Sequence, residues 1–382
     1  MIYTFLLQLP RRICYTEDGK NARMRSAVFG QNRRAPPFFV LFRRSRGGIC
    51  RAAEARLDLM LFYAPLPKRI AARYKEFLSM TGLRDEGDAD VVALMTDDDL
   101  RVVACGARAG HTLKQFAVSP DLEGEGAFAT VLSELLNEAA RANVKRLFLC
   151  TKPKNRAMFA SMGFYPIVET GDAVLMEDRK NGFSDYLASL PRYDGACGAV
   201  VVNGDPFTRG HLHLCEYAAA HCDALYVFSV SEPGSMFTPE ERFEMLAEGT
   251  AHLKNVHVVH TEEYLVSRET FPAYFIRDEQ HADAVKADLD VELFRTRIAP
   301  ALHITKRFVG EEPFSPTTRA YNERMKQLLP ERGIELIEIP RLDSISASRV
   351  RALIREGSPE RTKDLVPDTT YAAILRKLSR NA

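Results

Sequence analysis

The chain contains no tryptophan, and no apolar run approaches the ~20 residues that a membrane-spanning helix needs. A membrane partner is therefore not expected. Its cysteines (14, 50, 105, 150, 197, 215 and 222) are odd in number and form no CxxC pair. That excludes a zinc knuckle or a disulfide framework and reads as reduced thiols of a cytoplasmic protein. No GxxxxGK[ST] stretch occurs, so the chain is not a P-loop nucleotidase. An excess of one charge is also missing: 52 Lys/Arg face 51 Asp/Glu, a net of +1. The balance is uneven along the chain. Residues 1–56 hold twelve basic residues against three acidic ones, which leaves 40 against 48 in the remainder. The acidic remainder argues against nucleic acid as a partner. Residues 1–56 read as a basic extension, expected to be disordered.

What is present is ordinary for a globular protein of two or three domains: 382 residues, 46% apolar and 27% charged. Over residues 57–178 the pattern predicts a helix at 67–80, strands at 91–95, 100–106 and 112–118, and a helix at 127–143. Phe128, Val131, Leu132, Leu135, Leu136 and Ala139 fall on one face of that second helix. A strand at 146–151, a helix at 154–162 and a closing strand at 173–176 complete an α+β domain. A polar stretch with Gly182, Pro191 and Gly195 predicts a linker over 179–196. From 197 to 382 short apolar strands (198–203, 225–230, 256–260, 305–309, 334–339) alternate with helices near 210–222, 239–253, 271–302 and 316–329 and a last helix from Ser346. This alternation predicts a doubly wound parallel sheet covered on both faces.

In such a sheet ligands bind at the carboxyl ends of the strands. The first strand–helix junction, Asn203-Gly-Asp-Pro-Phe207-Thr208-Arg-Gly210-His211, sets a hydroxyl and an imidazole three residues apart where a helix begins. With the free amides there they suit an anion, and Gly210 lets it approach the backbone. About 135 residues later, Ile345-Ser346-Ala-Ser348-Arg-Val-Arg351 opens the final helix with an N-capping hydroxyl and a guanidinium suited to phosphate. His213 and Cys215 do not make a metal site with His211, because on a helix the rings at 211 and 213 point apart.

Thr208–His211 resembles the TxGH form of the HxGH signature, and Ile345–Arg351 resembles the ISSTxxR signature, of the nucleotidylyltransferase superfamily. With Phe237–Arg242, Ser267–Phe275 and Arg307–Phe314, the chain from about 60 to 365 resembles one branch, the citrate lyase ligases. The resemblance implies that ATP and acetate give acetyl-adenylate and pyrophosphate. The acetyl group then passes to the dephospho-CoA-derived thiol of the citrate lyase acyl carrier subunit, with release of AMP. It implies His211, Thr208 and Arg351 as catalytic residues, and Asn203, Phe207, Gly210, Arg242, Gly310, Glu311, Ser346 and Ser348 as nucleotide contacts. Mg²⁺ is expected with ATP, without a dedicated protein site. Two alternatives stay open: a nucleotidylyltransferase joining ATP to a phosphate monoester such as phosphopantetheine, and a non-enzymatic carrier-binding module.

The first domain resembles the GNAT acyltransferases through Asn155–Phe164. Its pyrophosphate loop departs from theirs, with Glu123 where Gln or Arg belongs and Phe128 where Gly or Ala belongs. Docking of the carrier's prosthetic arm and a purely structural role are both open readings of this domain.

Overall fold

A computed structural model describes residues 14–15, 21–22, 43–44 and 57–381 apart from 125, 232–235, 265–273, 277, 312–315 and 343–344. Of the extension expected to be disordered over 1–56, the described residues are Cys14–Tyr15 and Asn21–Ala22, which pair antiparallel, and Arg43–Arg44, also a short strand; the rest lies outside the described residues. The N-terminal domain runs β1 (Asp58–Tyr63), α1 (Lys68–Met80), β2 (Val91–Thr96), β3 (Val102–Ala109), β4 (Thr112–Val118), α2 (Ala127–Arg141), β5 (Phe148–Thr151), α3 (Arg156–Ser161), β6 (Tyr165–Glu169) and β7 (Val174–Glu177). These strands form one sheet in the order β1-β2-β3-β4-β5-β7-β6, with the short strand Arg43–Arg44 added antiparallel at the outer edge of β1. This is the α+β arrangement that the sequence pattern predicts. Every residue of β2 is buried because the sheet is covered twice. Val91, Ala93 and Met95 pack with Val131, Leu132 and Leu135 of α2. Val92 and Leu94 turn the other way, onto Tyr74, Phe77 and Leu78 of α1. The strand expected to close the sheet, β7, is not its edge. It lies between β5 and β6, a strand the sequence pattern missed.

All neighbouring pairs of this sheet are antiparallel except β4 and β5, which pair in parallel at only Thr112↔Phe148 and Leu113↔Leu149. Beyond that the two strands part, and Tyr274 from the C-terminal half enters the gap. Its hydroxyl donates to the Cys150 carbonyl of β5 (3.4 Å) and its carbonyl accepts from the Arg84 amide (2.9 Å).

The stretch expected as a polar linker carries a helix, α4 (Gly182–Ser189), with Phe183, Tyr186 and Leu187 buried. These side chains sit in one apolar cluster with Phe148, Cys150 and Leu175 of the first sheet and Cys197, Ala199 and Tyr226 of the second. The two halves therefore share a core.

The C-terminal half continues β8 (Cys197–Val202), α5 (Arg209–Ala220), β9 (Ala224–Ser229), α6 (Pro239–Thr250), β10 (Val256–His260), α7 (Glu279–Leu293), β11 (Ile304–Gly310), α8 (Pro316–Leu328), β12 (Glu335–Ile339), α9 (Ala347–Arg355) and α10 (Asp368–Asn381). Its five strands are all parallel, in the order β10-β9-β8-β11-β12. The chain winds outward from β8 to β10, then crosses back to β11, so the switch in direction falls between β8 and β11, where a crevice forms. Two expectations need correction. The helix placed over 271–302 begins only at Glu279, where the Asp278 carboxylate caps it by accepting the His281 amide (2.7 Å). It then passes through a π-helical turn, Phe294–Ile298, ahead of Pro300, which lacks the N–H that an α-helical bond to residue 296 needs. The last helix is two, α9 and α10, divided after Gly357 (φ 74°) by Pro359 and Pro367.

Candidate active site

β8 is apolar because both of its faces are covered, and it stops at Asn203-Gly204, where φ of +58° at Gly204 turns the chain. α5 then begins at a reciprocal cap. The Thr208 hydroxyl accepts the His211 amide (3.4 Å), and the Thr208 amide donates to Nδ1 of His211 (3.0 Å). The histidine thus fills the place that Glu holds in a common capping box. An accepting Nδ1 leaves the ring proton on Nε2, so the ring offers a neutral N–H donor. Burial, then the neighbouring positive charge of Arg341, holds the imidazole well below its usual 6.5, at about 4. Phe207, fully buried, stacks under this ring at 5.8 Å between centroids. It belongs to the core beneath the site and offers no surface to a nucleotide.

The second motif comes to the same place. A Cβ added at Gly210 would meet the Ile345 carbonyl at 3.9 Å and the Thr208 hydroxyl at 3.6 Å. The glycine thus keeps open a space between the N-terminus of α5 and the loop that leads into α9. Ser346 caps α9 by accepting the Arg349 amide (3.2 Å), and its hydroxyl lies 3.0 Å from that of Ser348. One turn on, Arg351 donates through Nη1 to the Asp205 carbonyl, and its guanidinium stands 3.8 Å from the Asp205 carboxylate. His211 and Arg351, far apart in sequence, are therefore held by one short loop, 205–211.

Arg242 is 1% exposed. Its guanidinium donates to the carbonyl of Asn203 (3.0 Å) and to its side-chain oxygen. It is a positioning residue that ties α6 to the end of β8, not a surface cation offered to a ligand. Asn203, Gly310 and Glu311 are exposed at the carboxyl edge, on the adjacent strands β8 and β11. The Gly310 carbonyl accepts from Asn322 (3.2 Å), and the Glu311 amide donates to Ile339 (2.9 Å). Cys215 is fully buried, and burial pushes its thiol up to about 12, so it packs as an apolar group.

Two residues of the site were not singled out from the sequence. Asp205, 4% exposed, accepts the Phe237 amide at 2.9 Å and orients Arg351, so it fastens the loop on two sides. A carboxylate between Gly204 and Pro206, directly after the apolar strand β8, was the available signal. Arg341 gave none, since its influence on His211 depends on how the loop after β12 folds back.

Residues 197–374 match the family model for the citrate lyase ligase C-terminal domain. A citrate (pro-3S)-lyase ligase of Klebsiella pneumoniae is 41% identical over 312 residues, covering 78% of this chain and 91% of the relative. The Escherichia coli enzyme of that name is 36% identical over 78% of this chain and 88% of its own length. That of Haemophilus influenzae is 36% identical over 77% and 92%. With relatives at this identity matched over nearly their whole length, the chain belongs to the citrate lyase ligase family.

Proposed function

We propose that this protein is an ATP-dependent acid–thiol ligase of the cytoplasm. It activates acetate as acetyl-adenylate and passes the acetyl group to the thiol arm of the citrate lyase acyl carrier subunit. The observation that carries this reading is the shared loop 205–211, which holds a neutral Nε2–H donor and the Arg351 guanidinium at one helix N-terminus. Acetate is already an anion at neutral pH, so attack on the α-phosphate needs no strong general base; it needs stabilisation of developing negative charge. Nε2–H of His211 and the Gly210 amide, which has no intrahelical acceptor, serve that purpose. Arg351 and the hydroxyls of Ser346 and Ser348 hold the departing pyrophosphate. Thr208 keeps the imidazole in the donating tautomer, and Asn203, Gly310 and Glu311 line the edge for the nucleoside. Among the described residues no group of three His, Cys, Asp or Glu side chains is placed to hold a metal ion. Mg²⁺ would enter this site as a companion of the ATP phosphates, and no step is assigned to it.

Acetate-dependent exchange of pyrophosphate into ATP tests the reading directly. His211→Asn is expected to lower the exchange rate by ~10²–10³, the usual cost of losing one such donor. Exchange that ignores acetate and requires phosphopantetheine instead would replace the ligase with a nucleotidylyltransferase.

A further inference from the structure

A cleft of about 490 Å³ opens between the two halves of the protein, at the edge where β9 and β10 end. Its inner wall includes Ser231 and His260, at the ends of those strands, and Glu240 at the start of α6. Its outer wall comes from the N-terminal domain: His111 just before β4, Lys145 just before β5 and Arg179 just after β7. Arg146 joins the walls through Glu262 (2.8 Å) and Glu263 (3.0 Å), one guanidinium against two carboxylates. Lys145 and Arg179 have no carboxylate partner among the described residues. Arg179 donates to the Lys145 carbonyl (2.7 Å), which fixes its guanidinium against the backbone of Lys145.

The cleft's position relative to the site follows from the sheet order. β9 pairs with β8 up to Val202↔Ser229, and the Val230 amide donates to Val202 (3.1 Å), so Ser231 stands beside Asn203 at one edge. The α9 motif reaches β8 from the opposite side, after β11 and β12. A second reactant can therefore approach through the cleft without crossing the phosphate contacts of α9. Tyr274 enters the gap between β4 and β5, and a separate cavity of about 730 Å³, lined among others by Thr81, Lys152, Lys154, Asp172, Phe275 and His281, lies elsewhere between the halves.

We infer that this cleft receives the thiol arm that accepts the activated acyl group, and that Lys145 and Arg179 bind a phosphate ester on that arm. The inference rests on the ligase reading for the role of the arm. Its site is testable by binding alone. Two basic side chains without acidic partners on the outer wall favour an anionic phosphate there, while the inner wall carries His260 and the carboxylates of Glu240, Glu262 and Glu263.

Calorimetric titration of the full chain with 4′-phosphopantetheine and with pantetheine decides it. The wild-type protein should prefer the phosphorylated thiol by about tenfold or more. K145E/R179E, two exposed positions, should erase that preference with an unchanged circular dichroism spectrum, and K145R/R179K should keep it. Equal affinity for the two thiols, no binding of either, or a preference that survives K145E/R179E would overturn the assignment. Acetate-dependent pyrophosphate exchange by the wild-type chain reads the other half. Exchange without a thiol preference removes the cleft and leaves the ligase; preference without exchange does the reverse.

Discussion

At His211 one backbone amide decides what the ring can do. By occupying Nδ1, the Thr208 N–H leaves Nε2 as the donor, and a folded pKa of about 4 keeps the ring neutral where an exposed histidine titrates near 6.5. The sign for stability follows. From pH 6.5 down to about 4 the unfolded chain takes up a proton that the folded chain refuses. The stability contributed by the neutral ring is present above the first value and fades as pH falls toward the second. The same neutrality predicts that pyrophosphate exchange shows no step from His211 between pH 7 and about 5.5. A rate that climbed on acidification with a midpoint near 6.5 would make the imidazolium the active form and refute the donor assignment. Spacing in the sequence showed Thr208, Gly210 and His211 because hydroxyl, glycine and imidazole at the start of a helix carry their chemistry locally. That Phe207 lies under the ring and Arg242 under Asn203 is visible only in the fold.

At the scale of elements the apolar periodicity located nearly all of the strands and helices, and it erred where two signals competed. Phe183, Tyr186, Leu187 and Leu190 carry the spacing of a helical face, yet the surrounding glycines, proline and charges read as a linker; burial from both sides decided for the helix. α6 offers a sharper test of how an element positions the site. A Cβ at Gly249 would stand 2.6 Å from the ring of Phe207, which is fully buried and has nowhere to retreat. Gly249→Ala gains up to about 1 kcal/mol of helix propensity but incurs an overpacking cost of ~1–3 kcal/mol. The expected outcome is a lower melting temperature together with slower exchange, since Phe207 carries the His211 ring. A variant that melts lower with an unaltered exchange rate would show that the ring's support does not matter to catalysis.

For the whole molecule, the shared core makes the two halves one folding unit. α4 is bounded by both sheets, and Tyr264 of the C-terminal half donates to the buried Glu177 at the end of β7 (2.9 Å) while stacking edge-on against Phe148 and Phe183. A cut in the stretch first read as a linker would leave Phe148, Cys150, Ile167 and Leu175 uncovered on one side and Tyr226 and Tyr264 on the other. Composition and charge cannot reveal such an interface, because each half already shows a complete pattern of its own. Phe183→Ala, at the centre of the cluster, should cost ~3–5 kcal/mol. If the halves are coupled, hydrogen exchange should register that loss equally in β5 and in β9, which lie in different sheets. Loss confined to one sheet would mean that the halves unfold separately and that the cleft between them is not held by the fold.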